Sequence, residues 1–285
     1  MKEIAVDDYR TLVDNMIELP SPPFIIQRLY AIFSMEEISA YEIAKVVETD
    51  QSFTARVLRL VNSPFYGLTR KIAGIEEAVC ILGFNAIRQL LLTASLLKAF
   101  KMEGQSAKVA DFWIHSMGVA IIARRLLMHR DKETQSEAFM GGILHDVGRL
   151  VFLKSDPNRF SSLYIEKEAV TDLKNETESF GINHQQVGGM LAQKWNFPES
   201  ICDVVGKHHS PLESSKFLML VSAINIADLL CHALGIGQSG NFYVSEFFPE
   251  AWRSLGLSYD DLERRLSGVH AEIVASEKSI FDLHK

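Results

Sequence analysis

His145 and Asp146 stand side by side in an otherwise apolar, glycine-punctuated stretch, GGILHDVGRLVF at 141–152. Burying an unpaired carboxylate costs on the order of several kcal/mol or forces it to take up a proton, so the pair calls for a cation, a hydrogen-bond network or a metal. Candidate companions recur at helical spacing. His184 shares a face with Val187, Gly188, Leu191 and Trp195, so it points inward. His208 aligns with Ile201, Val204 and Val205, and His209 with Cys202 and Val205. His115 lies in a stretch, 112–123, without a formal charge, and Asp228 sits within INIADLL at 224–230. Any one of these alone reads as a satisfied core residue. Together, five histidines and two aspartates on inward faces offer nitrogen and oxygen ligands for two divalent cations around one shared carboxylate. Asp146 would be that bridge, with His145 beside it serving one ion.

Other residues carry less. Asp111, one turn before His115, is either a further ligand or a helix-start carboxylate. His129, His232, His270 and His284 match nothing and read as surface or structural residues. Arg56, Arg59, Arg70, Lys71 and Arg88 are interleaved with Glu48, Asp50, Glu76 and Glu77, the pattern of a solvated face. The apolar run 90–97 reads as a core helix packed between the two halves of the chain. Phe242, Tyr243, Phe247, Phe248 and Trp252 are expected to fold back as a cover near the metals.

These residues need rigid elements to hold them, and the periodicity is helical almost throughout, so the fold class is all-α. Ser39 and Glu42 open a helix with a capping-box pattern, and a second runs over about 52–61, before Asn62-Ser63-Pro64. A third starts near Ile75 and a fourth covers 85–100. Further helices are expected at 107–128, 135–145, 158–168, 184–195, 199–207, 216–234 and 258–267, with a loop at 235–244. The stretch KMEGQS at 101–106 marks a boundary between 1–104 and 105–285.

The 285 residues carry 29 Lys and Arg against 36 Asp and Glu, a net charge of −7, so no global basic field draws a nucleic acid. Three cysteines without C-x-x-C spacing fit a reducing compartment. With no signal-peptide pattern and no long apolar run, a cytoplasmic protein without membrane contact is expected.

His115, His145-Asp146, His184, His208-His209 and Asp228 resemble the ordered H…HD…H…HH…D ligand series of the HD phosphohydrolase superfamily, particularly its HD-GYP branch. The segments LPSPP at 19–23, IAKVVETD at 43–50, LRLVNSPFYG at 58–67 and AVCILG at 78–83 resemble the HDOD family, signalling output domains related to those hydrolases. The resemblance spans about residues 12–235. It implies an N-terminal helical subdomain, an HD-type helical core, and two ions of iron, zinc or manganese. His115, His145 and Asp228 would complete one site and His184, His208 and His209 the other, with Asp146 between. Arg149 stands where the hydrolases often have a lysine after the HD pair, and could contact phosphate. No GYP loop follows His208-His209. Two functions stay open: a regulator acting through a signalling protein partner, and a metal-dependent phosphohydrolase acting on a nucleotide or cyclic dinucleotide. In the second, the ions would polarise the phosphoryl group and activate a nucleophile.

Overall fold

The helical periodicity is realised in the structure, a computed structural model that describes residues 39–49, 51–62, 68–84, 87, 91, 106–163, 172–195, 197–237 and 246–274. No strand occurs among the described residues. The described parts of 39–91 and 270–274 fall in one compact unit and those of 106–269 in a second.

In the first unit, α1 (Ala40–Val47), α2 (Gln51–Val61) and α3 (Ile75–Leu82) pack with α3 in contact with both others. Ser39 caps α1 as its spacing implied: the Oγ accepts from the Glu42 N–H at 3.1 Å, and the Glu42 carboxylate accepts from the Ser39 N–H. Phe53, Val57 and Val61 form the buried stripe of α2 at four-residue spacing. Asn62 ends that helix by bonding Leu58 and both the N–H and C=O of Ile72, which ties α2 to the approach to α3. Of the expected helix at 85–100, only Ile87 and Leu91 are described, both buried; the packing role given to 90–97 otherwise lies outside the described residues, as do 19–23 and 63–67.

The second unit contains α4 (Ser106–Leu126), α5 (Lys132–Leu144), α6 (Val147–Ser155), α7 (Pro157–Leu163), α8 (Asp172–Phe180), α9 (His184–Lys194), α10 (Glu199–Lys207), α11 (Leu218–Leu234), α12 (Pro249–Leu255) and α13 (Tyr259–Leu266), with a 3-10 turn at Pro211–Glu213. α4 lies against α5 and α11, α9 against α6 and α10, and α10 also touches α5 and α11, so these six enclose one core. The α4–α5 crossing is close enough to demand Gly142, where a Cβ would stand 2.3 Å from the Ala120 Cα.

Three helices were not expected from the sequence: α6, α8 and α12. α6 follows α5 after only His145 and Asp146, because Asp146 leaves helical geometry (φ −96°, ψ 10°) and turns the chain. α8 is strongly polar and has no apolar stripe to announce it. Asn183 and Gln186 form the expected capping box at α9, the Asn183 side chain accepting from the Gln186 N–H at 3.0 Å. Losing that acceptor typically costs about 1 kcal/mol. Asn183→Ala should therefore lower the unfolding free energy by that amount, seen as a lower denaturant midpoint with an unchanged m-value, which urea unfolding followed by circular dichroism would measure.

Candidate metal centre

Asp146 occupies the position before α6 where an aspartate usually caps its own helix, yet its side chain makes no capping hydrogen bond. The carboxylate turns instead into a buried cluster. Its Oδ1 lies 3.2 Å from His184 Nε2, 3.5 Å from His208 Nε2 and 3.4 Å from Arg149 Nε, and its Oδ2 lies 3.5 Å from His145 Nε2. Asp228 forms the other pole from α11. Its Oδ1 is 3.0 Å from His115 Nε2 and 3.7 Å from His145 Nε2, and its Oδ2 is 4.0 Å from His209 Nδ1. All seven residues of the sequence-derived series thus come together, from α4, the α5–α6 junction, α9, the end of α10 and α11. Their ligand atoms form overlapping groups: Asp146 with His184, His208 and His209, and His115 with His145 and Asp146.

The outer nitrogens of these rings decide what the inner ones offer. Four Nδ1 atoms face groups that accept: His115 faces the Ile236 carbonyl at 3.3 Å, His145 that of Gly142 at 2.8 Å, and His208 that of Val205 at 3.2 Å. The fourth, His184 Nδ1, lies 2.7 Å from the Glu176 carboxylate. A carbonyl cannot donate, so Nδ1 of His115, His145 and His208 carries a proton, and in the singly protonated ring Nε2 presents a lone pair to the cluster. The result is acceptor against acceptor: His184 Nε2 is 3.2 Å from His208 Nε2, and both face Asp146. His145 Nε2, Asp146 Oδ1, His209 Nε2 and Asp228 Oδ2 are buried without a hydrogen-bond partner. Lone pairs converging in a dry interior call for a cation between them, a proton or a metal ion. The donor set therefore fits a metal, with imidazoles and carboxylates suited to iron, zinc or manganese.

Protonation points the same way. Burial pushes His115, His184 and His209 below the usual histidine range, with Arg149 reinforcing it at His184 and the neighbouring His208 and His184 rings at His209. Burial opposes the charge on Asp146, but Arg149, His145 and His184 hold its carboxyl well below the usual range. At Asp228, burial is likewise overcome, by His232, His115 and His145. Neutral imidazoles beside ionised carboxylates are the forms that ligate metals. At His145, burial is outweighed by Asp146 and Asp228, which raise its proton affinity; a metal cation would meet the same demand.

Two participants were missed from sequence. Glu176, on the polar helix α8, is 1% exposed and accepts from both the backbone N–H and Nδ1 of His184, each at 2.7 Å, fixing that ring. Its carboxyl is raised to about 7 by burial, against the lowering effect of Arg149. His232 was read as a surface or structural residue, but its side chain is 5% exposed and its Nε2 lies 3.2 Å from Asp228 Oδ1. Its position one turn after Asp228 was the available signal. Arg149 is 1% exposed and lies between Asp146 and Glu176, 3.6 Å from the latter. Asp111 is only half-buried and joins none of the ligand groups. In the segment expected as a cover, Phe242 and Tyr243 lie outside the described residues, Phe247 is 51% exposed, and Trp252 stacks on Tyr259, itself 83% exposed. Phe247 is therefore turned to the surface, while Phe248 and Trp252 are half-buried.

No helix among the described residues is long and apolar enough to cross a membrane. A curated protein of Treponema pallidum, itself without an assigned function, is 24% identical over 222 residues; the match covers 76% of this chain and 42% of that protein. The chain thus spans less than half the length of that relative. Among solved structures, an HDOD domain protein of unknown function from Geobacter sulfurreducens superposes with a TM-score of 0.72 at 28% identity, covering 98% of this chain and 99% of its own. A Shewanella amazonensis protein with a TM-score of 0.73, at 24% identity and 94% and 97% coverage, shares the fold. The HDOD domain family matches residues 19–211, more than half of the chain and all of the candidate ligand series before Asp228, and the protein belongs to that family.

Proposed function

We propose that this protein is an HDOD regulator that holds two divalent ions of iron, zinc or manganese in its 106–269 unit and acts through contacts with a signalling protein partner. Burial is the observation that carries this reading. The side chains of His115, His145, His184 and His208 are 0% exposed, those of Asp146 and Asp228 are 2%, and that of His209 is 9%. A hydrolase of phosphate esters needs ligand positions that a substrate oxygen can reach from solvent. A centre enclosed on this scale suits a role in holding α4, α5, α9, α10 and α11 in one arrangement, since ligands from all five converge on it.

When bound, the ions would supply Lewis acidity and positive charge at the centre. The chain's own residues do the rest. Asp146 reaches both groups of histidines, Glu176 fixes the His184 tautomer, and Arg149 offsets the negative charge of Asp146 and Glu176. In this reading Arg149 is a positioning residue, because contact with a phosphate would require a guanidinium that is 1% exposed to leave two carboxylates.

Elemental analysis of the purified protein should give about two metals per chain, and the loaded protein should be inert towards bis(p-nitrophenyl) phosphate and nucleotides. Metal-dependent turnover that disappears in both Asp146→Ala and His184→Ala would overturn the regulatory reading in favour of a phosphohydrolase.

A further inference from the structure

Asp228 Oδ1 is surrounded by three imidazole nitrogens: His115 Nε2 at 3.0 Å, His232 Nε2 at 3.2 Å and His145 Nε2 at 3.7 Å. His232 lies outside the ordered ligand series. It reaches this oxygen because it follows Asp228 by one turn of α11, and its ring comes within 4.7 Å of the His115 ring. The ligand atoms of His115, Asp228 and His232 are mutually close enough to share one ion.

We propose that His232 is a further metal ligand, and that it fills the coordination position a substrate oxygen would need at the ion held by His115, His145 and Asp228. This rests on the metal-binding reading above and adds a reason for the closed centre. Metal–nitrogen and metal–oxygen bonds of about 2.0–2.1 Å give tetrahedral ligand–ligand edges of about 3.3 Å. The three nitrogen–oxygen separations around Asp228 Oδ1 bracket that value. A simple Asp228–His232 ion pair would not account for the other two nitrogens, because the Nδ1 protons of His115 and His145 are directed to the Ile236 and Gly142 carbonyls. One cation satisfies the lone pairs of His115 and His145 and the Asp228 oxygen together, with His232 Nε2 in reach of the same ion. His232 is also the most exposed donor of this group, at 5% against 0% for His115 and His145 and 2% for Asp228. With Asp146 shared between the two ions, His232 would bring the protein donors at this ion to five and leave no tetrahedral position open.

The test is a Co²⁺ titration of the metal-free full chain, followed by its visible absorption. The parent protein should show two binding steps. His232→Ala should weaken one step by at least about tenfold, leave the other unchanged, and recover on adding imidazole. The metal-loaded variant should bind inorganic phosphate where the parent does not. His232→Gln, which keeps a hydrogen-bonding group towards Asp228, gives the same readout if the alanine variant does not fold. Two steps of unaltered affinity and spectrum in the variant, without phosphate binding, would overturn this inference and leave the metal-binding reading intact. No Co²⁺ uptake by the parent protein would overturn both.

Discussion

Replacing Asp146 with alanine is expected to take the metal content from about two per chain to near zero, because this one carboxylate borders both groups of nitrogen donors. Its Oδ1 lies within 3.5 Å of His184 and His208 Nε2, and its Oδ2 lies 3.5 Å from His145 Nε2. Without it, His184 and His208 still present their Nε2 atoms 3.2 Å apart, but the carboxylate that faces both of them and would offset a divalent charge there is gone. Asp146→Asn keeps the shape while removing the charge and should lose the metals as well, which separates ligation from packing. Glu199→Ala serves as a control, since Glu199 pairs with Lys216 at the surface and should leave metal content unchanged. Elemental analysis of the three variants checks this. Full occupancy in Asp146→Ala would exclude Asp146 as the bridge.

The second large effect is expected at Gly148, two residues further on. A Cβ there would stand 2.0 Å from the carbonyl oxygen of His184 and 3.0 Å from the backbone nitrogen of Gly188. Both are backbone atoms, so no side chain can swing aside to relieve the clash; α6 and α9 would have to separate. Overpacking of this kind costs about 3 kcal/mol. In a domain of this size that corresponds to a fall of roughly 6–12 °C in the melting temperature. Because α6 follows Asp146 and α9 begins with His184, Gly148→Ala should also weaken metal binding. Calorimetry with and without added metal would show both effects, and a melting temperature within a degree of the parent would contradict the close approach.

The sequence alone determined much of this protein, because local rules were enough for it. The all-α class follows from 3.6-residue periodicity, as at Phe53, Val57 and Val61, and the capping boxes at Ser39 and Asn183 mark helix starts by chemistry confined to four residues. The inward direction of His184 and of the His208-His209 pair was legible for the same reason, and the ordered series singled out seven residues that the fold brings into one cluster. Tertiary structure decided what depends on partners distant along the chain. Glu176 gave no signal because Leu173 and Phe180 are the only apolar residues of α8, too few to mark its inward face; its value to His184 exists only once α8 lies against α9. His232 shared a helix face with Asp228, but only the approach of His115 and His145 from other helices makes it one of three nitrogens around a single oxygen. The resemblance to the hydrolases implied that Arg149 could contact phosphate, whereas it is buried between Asp146 and Glu176, with its charge directed to those two carboxylates. Periodicity tells which way a side chain faces, and only packing tells what it will meet there.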